Sequence, residues 1–290
     1  MLPPGKRVFG VTSLYIVAIL LTIIATVATS DLARADQPEI VVPNFWDHKA
    51  VFDRPNNIPD TIQFLATDNF PPFVFRDPQG RLTGFNIDLS RALCQELAIS
   101  CALKIKDFEI LIPALDEEEG DAIISGLSRY SPQARDLTFT DDYMKLPARV
   151  IVSNSAETDF GDAPKPGQTV AVQAGTRYEA FARKFWPSAD ILDFPSTAEA
   201  REAVKDGTAD AYFGDGLSLS FWLRSPAAEN CCRFAGGPWL EPGYFGEGMA
   251  IATRNGDTER AAALNYALRQ LHQKGVYQKL YLRYFPLSFY

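Results

Sequence analysis

Phe70 follows Asp68 and Asn69 and precedes Pro71 and Pro72. Two consecutive prolines remove nearly all local backbone freedom, so the phenylalanine ring is offered as a rigid aromatic wall. The loop leaves an apolar strand pattern at its carboxyl end, where open α/β sheets keep their ligands. Two further loops, one running from Gly126 to Ser128 and one made by Gly175 and Thr176, also follow strand patterns. Their N–H groups and hydroxyls can converge on a carboxylate. Asp215 stands at the exit of another apolar strand and supplies a negative charge for an ammonium group. An aromatic wall, an anion cradle and a lone carboxylate are together what an α-amino acid demands. Each part also has a plainer reading: a stiff connection for the prolines, turns for the glycines, a helix N-cap for Asp215.

Bond-making machinery is harder to find. There is no Gly-x-Ser-x-Gly, and neither His48 nor His272 lies in a motif. A general acid would have to come from Glu247 or Asp142, kept protonated in a closed cleft. Without Cys-x-x-Cys or His-Glu-x-x-His spacing, no metal and no cofactor are expected.

The start of the chain sets the compartment. Lys6 and Arg7 precede an uncharged apolar run over residues 8–28, and Ala33-Arg34-Ala35 has the small-x-small form of a signal-peptidase site. Cleavage after Ala35 is expected, giving an exported, periplasmic product of 255 residues; an uncleaved anchor is the competing reading. Losing three basic residues and one acid takes the net charge from −8 to −10. Such an acidic chain repels nucleic acid and anionic lipid, which are excluded as partners.

All four cysteines, Cys94, Cys101, Cys231 and Cys232, lie beyond that site, where an oxidising compartment favours disulfides. Cys94 near the end of a helix over 87–97 and Cys101 at the start of the next strand suit one bridge across a tight joint. The adjacent pair can close on itself, stay free or bridge elsewhere.

Positioning these groups requires alternating elements. Strands are expected over 61–66, 101–105 and 122–124, with helices over 87–98 and 109–116. Beyond a break at 164–167, strands over 169–172, 190–193 and 210–213 alternate with helices over 177–185, 197–205 and 216–223. A return strand over 247–253 leads to a helix with Ala262, Leu264, Ala267, Leu268 and Leu271 on one face, then a helix over 276–284. Such alternation gives parallel sheets with crossover helices. The expected fold is α/β with two lobes, joined by crossing strands near 148–152 and 245–250. The expected division is a leader (1–35), an extended arm (36–60), a first lobe (61–149), a second lobe (150–244) and a return to the first (245–290).

The motifs and their order carry a resemblance. ATDNFPPFVF, GRLTGFNIDLSRAL, LIPALDEEEGDAIISGLS, FTDDY, VAVQAGT, GTADAYFGDG and ALRQLHQKGVYQKLYLRYF run in sequence across residues 61–286. In this the chain resembles the family 3 solute-binding proteins that serve polar amino acid ABC transporters. The resemblance implies a monomer that binds a small polar solute, most simply an amino acid, between two lobes and delivers it to a membrane permease. It implies a ligand set of Asp68, Phe70, Gly126, Ser128, Arg135, Gly175, Thr176 and Asp215. In the family, a Thr-Pro-x-Arg supplies a bidentate guanidinium to the ligand carboxylate. Ungapped, that position is Gln133; a shifted loop gives Arg135, the favoured candidate, and Arg129 is a third. Two competing functions remain on the same scaffold: a dehydratase-like enzyme and a sensory ligand-binding module.

Overall fold

The computed structural model describes residues 53–129, 131–156, 160–245, 248–285 and 287–290. The expected leader, most of the arm and Glu247 lie outside the described residues.

The first strand, β1 (Thr61–Ala66), buries both faces: Ile62 and Phe64 enter one core and Leu65 another. That is the pattern of a central parallel strand covered by helices on each side. A short hairpin, β2 (Phe75–Arg76) and β3 (Leu82–Thr83), then leads into α1 (Phe85–Leu97). The helix was expected near residue 87 and begins earlier because the proline loop docks on it. The Pro72 and Phe73 carbonyls accept the Phe85 and Asn86 N–H groups at 3.0 and 2.9 Å, satisfying donors a helix start leaves orphaned. Gly84 makes the approach possible: at φ +133° its Cβ would lie 2.2 Å from the Phe73 carbonyl oxygen.

Next come β4 (Ser100–Ile105), α2 (Leu111–Asp116), β5 (Ala122–Ile123) and β6 (Thr138–Phe139). A 3-10 turn, Phe108–Ile110, replaces the first turn expected of the helix over 109–116. The second sheet is built from β7 (Ala148–Ser153), β8 (Thr169–Gln173), α3 (Arg177–Phe185), β9 (Asp190–Phe194), α4 (Thr197–Lys205), β10 (Ala211–Asp215), α5 (Gly216–Trp222) and β11 (Cys232–Trp239). The chain ends in β12 (Ala252–Thr253), α6 (Thr258–Gln273) and α7 (Val276–Tyr284).

Strand order in one sheet is β4-β1-β5-β12-β6, and in the other β11-β7-β10-β8-β9. In each sheet four strands run one way and one runs against them, β12 in the first sheet and, in the second, β7, which pairs antiparallel with both β10 and β11. The last of these was not expected. Its pairing with β7 shifts register between Ala235 and Trp239, across Gly236-Gly237-Pro238.

The crossing falls slightly earlier than expected. β7 is hydrogen-bonded on both sides within the second sheet, so the two passages meet ahead of it, at Met144 and Met249. There the Tyr143 N–H donates to the Met249 carbonyl at 2.8 Å, and the Met249 N–H to the Met144 carbonyl at 2.6 Å. Helices α6 and α7 pack on α1, closing an aromatic core with Phe73, Phe85, Tyr143, Tyr277 and Phe285. Ala262 is exposed, and Ala261 faces inward in its place. Ala261 is three residues before Leu264, on the same helical face, whereas Ala262 is two before it and points away.

Cys94 and Cys101 are joined across the α1–β4 joint, with Cα atoms 6.1 Å apart, and Cys231 is joined to Cys232. Replacing Cys94 and Cys101 together by serine is expected to cost about 2–3 kcal/mol, the loop-closure entropy returned to the unfolded chain. Urea titrations of the two proteins read this directly. An unchanged midpoint would show that the packing of α1 alone holds the joint.

Candidate functional site

In the first lobe, the loops after β1, β4 and β5 enclose a cleft of about 380 Å³. The Thr67 N–H donates to the Ser125 hydroxyl at 3.0 Å and ties two of these loops together. The Phe70 ring stacks on Phe73 at 4.7 Å and lies over Gly126. A Cβ on Gly126, at φ +71°, would sit 2.7 Å from that ring, so the aromatic wall requires glycine beneath it. Asp68, Phe70 and Gly126 therefore line one space, as expected of neighbouring loops at strand ends.

The charge in the cleft is negative. Asp68 is paired with Arg76 at 2.7 Å, a half-exposed contact. Asp107 and Glu109, on either side of the exposed Phe108, also line the cleft and form no ion pair among the described residues. They were not singled out from sequence, although acid-aromatic-acid at a strand exit was the available signal.

The remaining expected residues are placed differently. Ser128 is half-buried; its carbonyl accepts the Ser131 N–H at 3.1 Å, and it does not line the cleft. Arg135 is exposed, at the end of the 3-10 turn Pro132–Ala134. Gln133 on the same turn is exposed and accepts from the Ser131 hydroxyl at 2.7 Å. Arg129 is held elsewhere: its guanidinium donates to Asp142 at 2.5 Å and to the Thr140 carbonyl at 3.0 Å, over the Phe139 ring.

In the second lobe, Thr176 caps α3. Its hydroxyl donates to the Gln173 carbonyl at 2.7 Å and accepts the Glu179 N–H. The Gly175 N–H, expected to be free for a carboxylate, donates instead to the Glu179 side chain at 2.8 Å. Glu179 reaches back past the Thr176 cap to the preceding residue, and its carboxylate takes the Gly175 amide that a ligand would otherwise reach. Asp215 caps α5 through Oδ1, which accepts the Ser218 N–H at 2.7 Å. Its Oδ2 accepts from the Tyr178 hydroxyl at 3.4 Å. Tyr178 is caged by Phe213 and Phe245, and burial, followed by the Asp215 charge, pushes its pKa up to about 12. It stays a proton donor to Asp215 at neutral pH. Asp215 thus caps α5 with one oxygen and accepts from Tyr178 with the other. Among the described residues, no group of acids, histidines or cysteines is arranged to hold a metal ion.

Two α/β lobes, a pair of crossing passages and polar loops at the strand ends make the architecture of the periplasmic-binding-protein fold. The chain belongs to the bacterial extracellular solute-binding proteins, family 3, whose model matches residues 62–287. It is 31% identical to the L-arginine-binding protein of Pseudomonas aeruginosa, over 76% of this chain and 86% of that one. It is 30% identical to the lysine/arginine/ornithine-binding periplasmic protein of Escherichia coli, over 80% and 90%. Among solved structures, an ancestral cationic amino acid solute binding protein superimposes with a TM-score of 0.55 at 32% identity, covering 78% of this chain and 96% of that one. An ancestral cyclohexadienyl dehydratase reaches 0.67 at 24% identity, over 79% and 93%, which speaks to the fold alone.

Proposed function

We propose that this protein binds an amino acid with a cationic side chain in the periplasm and presents it to an ABC permease. The observation that carries this reading is the cleft beside Phe70, where Asp107 and Glu109 have no cationic partner among the described residues. An aromatic face flanked by carboxylates suits a guanidinium or ammonium at the end of an aliphatic stem. The relatives named for arginine and for lysine, arginine and ornithine support the same class. Asp215 would meet the α-ammonium from the second lobe, and closure would be favoured by the ligand's contacts to both lobes. Export with cleavage after Ala35 belongs to this reading.

A carrier fits better than an enzyme. Of the two candidate acids, Asp142 accepts the Arg129 ion pair and is engaged as an acceptor rather than poised to give a proton.

Thermal unfolding with arginine, lysine, ornithine, glutamine, glutamate and a prephenate-like acid tests both points. A ligand at about 100 times its Kd stabilises by about 2.7 kcal/mol, a rise of roughly 5–10 °C for a chain of this size. The basic amino acids should give that rise, and Asp107→Asn with Glu109→Gln should remove it for arginine while sparing glutamine. A shift from glutamate alone, or turnover of the prephenate-like acid, would overturn the reading.

A further inference from the structure

Residues 287–290, which follow α7, touch both lobes. Leu287 packs against the second-lobe core that holds Ile151 and Tyr212. Phe289 is fully buried in the first-lobe core, its ring 5.6 Å from Tyr281 and 4.7 Å from Tyr290. The Tyr290 hydroxyl then reaches the first crossing passage. It accepts the Lys145 N–H at 3.2 Å and donates to the Lys145 carbonyl, so one side-chain oxygen holds both backbone groups of one residue. Just before it in the chain, the Tyr143 carbonyl accepts from the Tyr277 hydroxyl of α7.

Rotation of one lobe against the other has to be absorbed by a few backbone angles where the chain passes between them. The first passage runs from Met144 to the start of β7 at Ala148. On its near side Tyr143 and Lys145 are tied to the first lobe by two tyrosine hydroxyls, and Leu146 packs on the first-lobe core. On its far side the Pro147 carbonyl accepts the Gly216 N–H at 3.0 Å, which fixes it to α5 of the second lobe. The proline ring fixes φ at Pro147 and restricts Leu146 before it to extended angles, so these two residues can turn little. Lys145 remains, and turning there breaks at least one bond to Tyr290. No described residue of the second lobe lines the cleft beside Phe70, so the second lobe does not cover it in this arrangement.

We propose that residues 287–290 are a strap that holds the uncovered arrangement, with the Tyr290 hydroxyl as its catch on Lys145. The proposal rests on solute binding between the lobes, as read above. Closing over a solute requires Lys145 to turn, so the catch opposes closure and lowers the population of the binding-competent state. Apparent affinity falls by that fraction. Tyr290 acts through the passage rather than on the solute, which makes it a positioning residue.

Tyr290→Phe removes the catch and keeps the ring. Pulsed electron spin resonance between labels at Gln79→Cys and Ala198→Cys, one exposed position in each lobe, reads the lobe separation without any solute. Tyr290→Phe is expected to move the distribution toward shorter distances. Tyr277→Phe should leave it unchanged, because Tyr143 lies on the first-lobe side of the turning residue. Calorimetry with arginine should show affinity rising about 2- to 12-fold in Tyr290→Phe, the worth of one hydrogen bond. A solute-free distribution identical to that of the unaltered protein, or an affinity that falls, overturns the strap. Failure of both proteins to bind arginine would count against the solute reading instead, and the solute-free distances would still decide the strap.

Discussion

Asp215→Asn is expected to weaken the binding of a basic amino acid by about 2–5 kcal/mol, roughly 30- to 4000-fold, while leaving the ligand-free melting midpoint unchanged. The substitution separates two roles that one side chain carries. As a cap, Asp215 accepts the Ser218 N–H at 2.7 Å, and asparagine is an equally good cap. As a counter-charge, its second oxygen receives, among the described residues, the long contact from Tyr178 at 3.4 Å, which leaves capacity for an ammonium group. Asparagine keeps the first role and removes the second. Asp215→Ala should lose both, adding about 1 kcal/mol of destabilisation to the same loss of affinity. Calorimetry with arginine, beside thermal unfolding without ligand, reads the two effects independently. Unchanged affinity in the asparagine variant would make Asp215 a helix cap and nothing more.

Most of the frame that positions Asp215 is legible in the sequence, because the apolar runs are short, bounded and regularly spaced. TIQFLA reads as a strand and is one; that both its faces are buried is a finding of the structure. What is not legible depends on partners distant in the chain. β11 carries glycines and a proline; only its pairing with β7 makes it a strand. The early start of α1 depends on the Pro72 and Phe73 carbonyls, which a helical period cannot show. The site follows the same division. Phe70 and Gly126 are readable as loops at strand ends, but that the ring lies over the glycine is a tertiary fact. Asp107 and Glu109 were hidden because an acid beside a helix start reads as a solvated charge. The Gly175 amide is a different case: Thr176-x-x-Glu179 placed an acid within reach of the turn before the helix, although a capping box by itself would take the Thr176 N–H and not that of Gly175.

Arg135→Ala is expected to weaken binding of a carboxylate ligand by about 2–5 kcal/mol, with Gln133→Ala close to neutral. Three side chains compete for the ligand carboxylate, and the structure leaves them unequally available. Arg129 already holds Asp142 and the Thr140 carbonyl, contacts that tie the loop after β5 to the segment leading to the crossing. Its removal should therefore lower stability more than affinity. Gln133 is exposed and bonded to Ser131, and it has no charge with which to answer a carboxylate. Arg135 is exposed at the end of a three-residue turn with neither hydrogen bond nor ion pair among the described residues, and we propose its guanidinium as the ligand's partner. The turn begins at Ser131 and Pro132, outside regular structure, where a small change of backbone angle can redirect the residues that follow. Arg135→Lys should recover only part of the loss, because an ammonium cannot reproduce the two parallel bonds of a guanidinium fork. Comparing arginine with its carboxamide analogue gives the sharper readout. The unaltered protein should prefer the carboxylate, and Arg135→Ala should lose that preference even where some affinity remains. A preference for the amide, with Arg135→Ala silent and Gln133→Ala damaging, would assign the position to glutamine and move the ligand away from ordinary amino acids.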